Sequence, residues 1–170
     1  MASRPCGFSI IELLIVVTML AIIAMLVMPH LLDASQDARD SALASDLQML
    51  RRQIELYRIQ HEGRGPHLDE NGTFDGDGFT DRLTERTTVT GKLDASGEFG
   101  PYVSEWPGNP FSTNDVAKKI LFGTQQIPPR NGTTGWYYNT KSCLISPNSK
   151  KGAPDFDPAE IIEANALPLP

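Results

Sequence analysis

Cysteine is scarce in this chain of 170 residues: there are two, Cys6 and Cys143, too few for a disulfide framework. Histidine is scarce as well, and His30, His61 and His67 are too dispersed to define a metal site. His61-Glu62 lacks the second histidine four residues on that a zinc-protease helix requires. No Gly-x-Ser-x-Gly, phosphate-binding loop or catalytic-cysteine pattern occurs, which removes the commonest hydrolase and nucleotide-binding readings. Positive charge is in deficit, with 15 Lys and Arg against 21 Asp and Glu, for a net charge of -6. A nucleic-acid footprint would be a basic stripe, and none is present.

Charge is almost lacking from the stretch between Phe8 and Met28, where Glu12 is the sole ionisable side chain. Ser9 and Thr18 add two hydroxyls, and Pro29 closes the run. About 20 helical residues cover the roughly 30 Å hydrocarbon core of a bilayer, so 8–28 is expected to be a transmembrane half-helix. A carboxylate inside such a segment costs about 2.5–3.5 kcal/mol on insertion scales, which makes Glu12 a functional residue by default. Residues 1–7 are short and polar, carry one positive side chain, Arg4, and resemble the cytoplasmic n-region of an export signal. A cleaved secretory signal fits poorly, because the apolar run is too long, contains a carboxylate and lacks a nearby small-x-small site. An uncleaved signal anchor stays open on hydropathy alone.

Beyond Pro29 the pattern turns amphipathic over 29–62. Leu43, Leu47, Leu50, Ile54 and Tyr57 recur at spacings of four and three, while Asp40, Asp46, Arg51, Arg52, Glu55 and Arg58 lie mostly off that face. Ala34, Ala38 and Ala42 extend the stripe with small residues suited to close packing on another helix. Proline inside a membrane helix is tolerated, so one helix from Phe8 to about His61, roughly 80 Å long, is expected, stopped by Gly63 and Gly65-Pro66.

From Gly65 the chain is punctuated by Asn71-Gly72, Asp75-Gly76, Asp77-Gly78 and Gly100-Pro101. Thr87–Leu93 and Lys119–Phe122 read as short strands, and Trp136-Tyr137-Tyr138 with Cys143-Leu144-Ile145 as a hairpin. Asp157-Pro158-Ala159-Glu160 has the N-cap, N1 and N3 residues of a capping box and predicts an acidic helix to about Ala166. The expected fold class is α+β: one long N-terminal helix packed by its second half on a small antiparallel sheet, with 63–170 as the globular domain.

Gly7, Phe8, Glu12 and Pro29, with Leu13-Leu14-Ile15-Val16-Val17 between, resemble the class III signal of type IV pilin-like proteins. The resemblance implies a leader peptide, 1–7, cut between Gly7 and Phe8 by a prepilin peptidase that also N-methylates Phe8. It implies that Glu12 pairs with the Phe8 ammonium of a neighbouring, axially staggered subunit, which would set register in the assembly. The other reading of Glu12 is a wetted side chain at headgroup depth. The cut would remove Cys6 and Arg4, leaving Cys143 alone and a side-chain charge of 14 − 21 = −7.

The distal part resembles the major pseudopilins of type II secretion systems. The matching pieces are Leu93-Asp94-Ala95-Ser96-Gly97, Gly100-Pro101-Tyr102-Val103, Trp106-Pro107-Gly108-Asn109-Pro110-Phe111 and Gly135-Trp136-Tyr137-Tyr138-Asn139. The chain departs from that family in its ending, Ser146-Pro147-Asn148-Ser149-Lys150-Lys151, onto which the family's calcium ligands do not map, and in the additional segment 71–81. In that segment Asp75, Asp77 and Asp81 resemble a fragment of a calcium loop, but the twelfth position is Thr84, with Glu85 one residue late. Ca2+ is the one cofactor expectation, against a plain solvated loop. Asn71-Gly72-Thr73 and Asn131-Gly132-Thr133 fit the N-glycosylation sequon, which in a bacterial protein predicts little by itself.

The expectation is therefore a structural subunit and not an enzyme. It waits in the bacterial inner membrane, N-terminus cytoplasmic and globular domain periplasmic, and polymerises into a type II secretion pseudopilus that drives export of folded proteins. Its expected partners are the prepilin peptidase/N-methyltransferase, copies of itself and minor pseudopilins, the inner-membrane secretion platform and membrane lipid, with no nucleic acid. The alternatives are a type IV pilin of a surface pilus or DNA-uptake machine, against which the lack of a cysteine pair around a C-terminal loop argues, and a signal-anchored periplasmic binding domain or enzyme.

Overall fold

The structure, a computed structural model, describes residues 9–150, and within its first helix the side chains outside 26–33. The chain divides into two units, Met1–Ala38 and Arg39–Pro170. Helix α1 is Ile10–Gln60, 51 residues. In the second unit its stripe is buried as the spacing predicts, with Leu43, Leu47, Leu50, Ile54 and Tyr57 all at or near zero exposure. These side chains share one core with Phe79, Leu83, Trp106, Trp136, Tyr138 and Ile145. The helix ends where the chain enters the left-handed region at Glu62 (φ 57°) and Gly63 (φ 80°). The Gly63 N–H donates to the Arg58 carbonyl at 2.8 Å, the six-to-one bond that closes a Schellman-type C-terminus.

Three strands follow two short helices, α2 (Phe79–Thr84) and α3 (Asn114–Ala117). They are β1 (Ile120–Gly123), β2 (Trp136–Asn139) and β3 (Leu144–Pro147), in the order β1-β2-β3. The predicted hairpin is present, β2 and β3 running antiparallel from Trp136↔Pro147 to Asn139↔Leu144. The sheet is nevertheless mixed and not antiparallel, because β1 pairs with β2 in parallel, Ile120 opposite Trp136. Segment 124–135 is the reason: it returns the chain to the starting end of the sheet before β2 begins, and a parallel pair requires a crossover of that kind. Trp136 and Tyr138, both fully buried, fill the space under the helix stripe. At the half-buried edge of that contact Arg51 Nε donates to the Ile145 carbonyl at 3.3 Å.

Two other expectations change. Thr87–Leu93 is a tight turn and not a strand: Thr87 bridges Leu93 and Phe99, and Gly91 (φ 85°) turns the chain between them. A methyl at Gly91 would also lie 2.8 Å from the Tyr57 hydroxyl, so both conformation and space call for glycine. The polar segment after Asn71 ends in α2, whose Phe79 and Leu83 enter the core. The expected C-terminal helix after Asp157 lies outside the described residues.

Candidate functional site: the apolar helix segment and its carboxylate

Side chains from Ser9 to Met25 are all exposed, Ile10 at 90 % and Met25 at 81 %. Leucine, isoleucine, valine and methionine side chains point outward on every side of the helix, and a helix apolar all round belongs in a membrane or a protein core. Glu12 is the sole ionisable side chain among Ser9–Met25, and it sits in the first turn of α1. There the partial positive charge of the helix N-terminus favours a carboxylate. Thr18 does not add an unpaired polar group, since its hydroxyl donates to the Ile15 carbonyl at 2.8 Å.

Gly7 and Phe8, the predicted cleavage pair, lie outside the described residues, and so does the side chain of Pro29, whose backbone is part of α1. No helix among the described residues is long and apolar enough to cross a membrane; the described side chains of the apolar run end at Met25, short of Met28. Ala34, Ala38 and Ala42 are exposed.

The predicted calcium ligands are not brought together. Among the described residues no group of three His, Cys, Asp or Glu side chains is placed to hold a metal ion. Asp77 and Asp81 are exposed, and Asp81 sits inside α2. Asp75 is engaged by protein: Oδ2 accepts from Arg82 Nη2 at 2.5 Å and Oδ1 from the Gly78 N–H at 3.2 Å. The Arg82 hydrogen bond, followed by the Gly78 N–H, holds the Asp75 carboxyl below its usual range. Arg82 is itself buried, and its remaining donors reach the carbonyls of Gly91 (3.2 Å), Pro66 (3.1 Å) and Asp75 (3.3 Å). One guanidinium thus ties together the segments that carry Pro66, Asp75 and Gly91.

Sequence reasoning missed Arg82, His61 and His67. His61 is fully buried, stacked on Tyr57 with ring centroids 3.7 Å apart. Its Nδ1 donates to the Tyr57 carbonyl at 2.7 Å, which leaves Nε2 to accept from the Thr87 hydroxyl at 2.9 Å in the neutral ring. His67 Nδ1 lies 3.2 Å from the Tyr138 hydroxyl. Burial lowers the pKa of both histidines, and the positive charges of Arg82 and Arg58 lower that of His67 further. Burial pushes Tyr57 and Tyr102 up to about 12.

The Trp-Pro-Gly-Asn-Pro-Phe and Gly-Trp-Tyr-Tyr pieces, separate in sequence, are joined in space. Asn109 is buried and donates from Nδ2 to the Gly135 carbonyl at 2.7 Å, while its Oδ1 accepts the Phe111 N–H at 2.9 Å. Trp136 Nε1 donates to the Pro107 carbonyl at 3.0 Å. Gly135 is held at both ends, its N–H on the Val116 carbonyl at 2.7 Å. A methyl there would lie 1.9 Å from the Ala117 carbonyl oxygen, so no other residue fits. The two motifs are halves of one backbone junction that starts β2.

Comparison with protein-family models, with curated proteins and with solved structures gives no match for this chain.

Proposed function

We propose that this protein is the structural subunit of a helical periplasmic filament, a type II secretion pseudopilus. A prepilin peptidase cuts it between Gly7 and Phe8, and Phe8 is N-methylated. Until assembly, 8–28 anchors it in the inner membrane with the globular part in the periplasm. The observation that carries the reading is the contrast within α1. Ser9–Met25 exposes apolar side chains on all sides with Glu12 as its sole charge, whereas from Leu43 onward the same helix buries one stripe in a folded domain. A helix that is half domain element and half unsatisfied apolar surface fits a subunit whose partners, first lipid and then its own copies, cover the exposed half. The Phe8–Glu12 motif offers a charge pair for such packing, because a carboxylate buried among apolar helices must either gain a cationic partner or take up a proton. Head-to-tail contacts of this kind are heterologous and build an open filament.

The test is Glu12→Ala expressed beside the unmutated chain in a cell with a prepilin peptidase. The variant should insert and be cleaved yet be missing from sheared or cross-linked filaments. Incorporation at the level of the unmutated chain would overturn the role given to the carboxylate.

A further inference from the structure

Charge in the folded domain is sorted by segment. Residues 62–105 carry ten carboxylates against four Lys and Arg, 4 − 10 = −6, and residues 106–150 carry one against five, 5 − 1 = +4. Soluble surfaces ordinarily intersperse the two signs. Within these two segments two ion pairs form among the described residues, Arg82–Asp75 and Lys118–Glu105. Asp77, Asp81, Glu85, Lys119, Arg130 and Lys150 take part in neither.

The unpaired carboxylates form a row. Helix α2 turns Phe79, Arg82 and Leu83 into the core. At about 100° per residue, Asp77, Asp81 and Glu85, spaced by four, fall on the opposite side, and all three are exposed. Helical bonds run through the stretch, the Arg82 N–H on the Gly78 carbonyl at 3.0 Å and the Glu85 N–H on the Asp81 carbonyl at 2.8 Å. Like charges four residues apart destabilise a helix, so this six-residue helix gains from any cationic surface brought to it.

The basic side chains gather at one end of the sheet. Lys119 immediately precedes β1, and its carbonyl accepts the Trp136 N–H at 3.1 Å. Lys150 follows Pro147, which lies opposite Trp136 at the same end. The return segment joins them there: the Gly132 N–H donates to the Asn148 carbonyl at 2.8 Å, and the Lys150 stem lies 3.3 Å from where a Gly132 Cβ would be. Arg130 stands two residues before that glycine. Lys119 and Lys150 are exposed and Arg130 is half-buried.

We propose that the Asp77, Asp81, Glu85 row of one copy docks on the basic sheet end, Lys119, Arg130 and Lys150, of the next. Two different surfaces meet, so the contact is heterologous and runs head to tail. Exposed ion pairs are individually weak. Complementary patches instead speed encounter, reject like-charged faces and fix register. The inference rests on the self-assembling reading above for its partner, a second copy of this chain, and names where the folded domains touch.

The first test is carbodiimide coupling of lysine to carboxylate on the full chain in detergent micelles, with isotopically light and heavy copies mixed. Light–heavy products should join the peptide with Lys119 or Lys150 to the peptide with Asp77, Asp81 or Glu85. Their yield should fall as salt shortens the Debye length from about 10 Å to about 3 Å. In sedimentation, Lys119→Glu with Lys150→Glu should weaken association about tenfold, and Asp81→Lys with Glu85→Lys in the same chain should restore it. Products confined to single copies, products that join these lysines to other carboxylates, or a reversal that the paired reversal does not rescue overturn the inference. Two results separate it from the filament reading. Filaments that incorporate the Lys119→Glu, Lys150→Glu chain at the unmutated level overturn the inference alone. Light–heavy products from a chain that keeps residues 1–7 and builds no filament support the contact and contradict the filament.

Discussion

Glu12 and Arg82 represent two opposite placements of a charge. Glu12 stands among exposed apolar side chains where a partner can reach it, and Arg82 is buried with its guanidinium already spent on Asp75 and the carbonyls of Pro66 and Gly91. Arg82→Met leaves two buried carbonyls without a donor and should lower unfolding free energy by about 2–3 kcal/mol in denaturant titration. Arg82→Lys should recover little of it, since a single ammonium cannot span three directions. The buried histidines set a pH dependence. Their folded pKa lies below the unfolded value of about 6.5, so below pH 6.5 the unfolded chain binds more protons than the folded one. Stability should hold from pH 8 to 7 and fall as pH drops from about 6.5 toward 5, and a His61→Gln, His67→Gln double variant should flatten that limb. At the other end Tyr57 and Tyr102, pushed up to about 12, keep their protons when unfolded tyrosines of about 10 lose theirs. Stability should therefore fall again above pH 10. None of these three residues was legible in sequence as a tie point, because the partners of Arg82, His61 and His67 lie on segments that only the fold brings together.

At the scale of elements, the features that near neighbours in the chain determine are legible in the sequence. The four-and-three stripe of α1 and the β2–β3 hairpin depend on neighbours within one or two turns, and both are present. Leu50, fully buried on that stripe, should cost about 2–5 kcal/mol when cut to alanine. Glu62 carries a left-handed backbone at the helix terminus without a glycine's freedom, so Glu62→Gly should raise stability by about 0.4–1 kcal/mol. What could not be read locally was the direction of β1, set by the long return through 124–135. Nor could the fate of Thr87–Leu93 be read, whose β-branched residues suggest a strand but which turns at Gly91. The polar segment before α2 looked like a cation loop because its carboxylates alternate. The arginine that engages the first of them comes seven residues later, in a helix hidden by the same polar pattern. Gly135→Ala should bring the added methyl into the Ala117 carbonyl and lower stability by about 1–3 kcal/mol.

For the whole molecule, the account turns on a division of labour along one chain. A folded domain secures the second half of α1 through buried aromatic and aliphatic side chains, and the first half is left apolar and outward-facing with one carboxylate. Of the candidate site, Glu12 and its apolar surroundings were legible because hydropathy and a single charge are properties of the sequence itself. The consequence of Gly7 and Phe8 is chemical, a cut and a new amine, and that is where the central claim is most directly tested. The measurement is the intact mass and N-terminal sequence of the full-length gene product purified from the membranes of a cell with a prepilin peptidase. The account predicts a chain that begins at N-methylated Phe8. A chain that retains residues 1–7 would contradict it and leave a signal-anchored domain in its place.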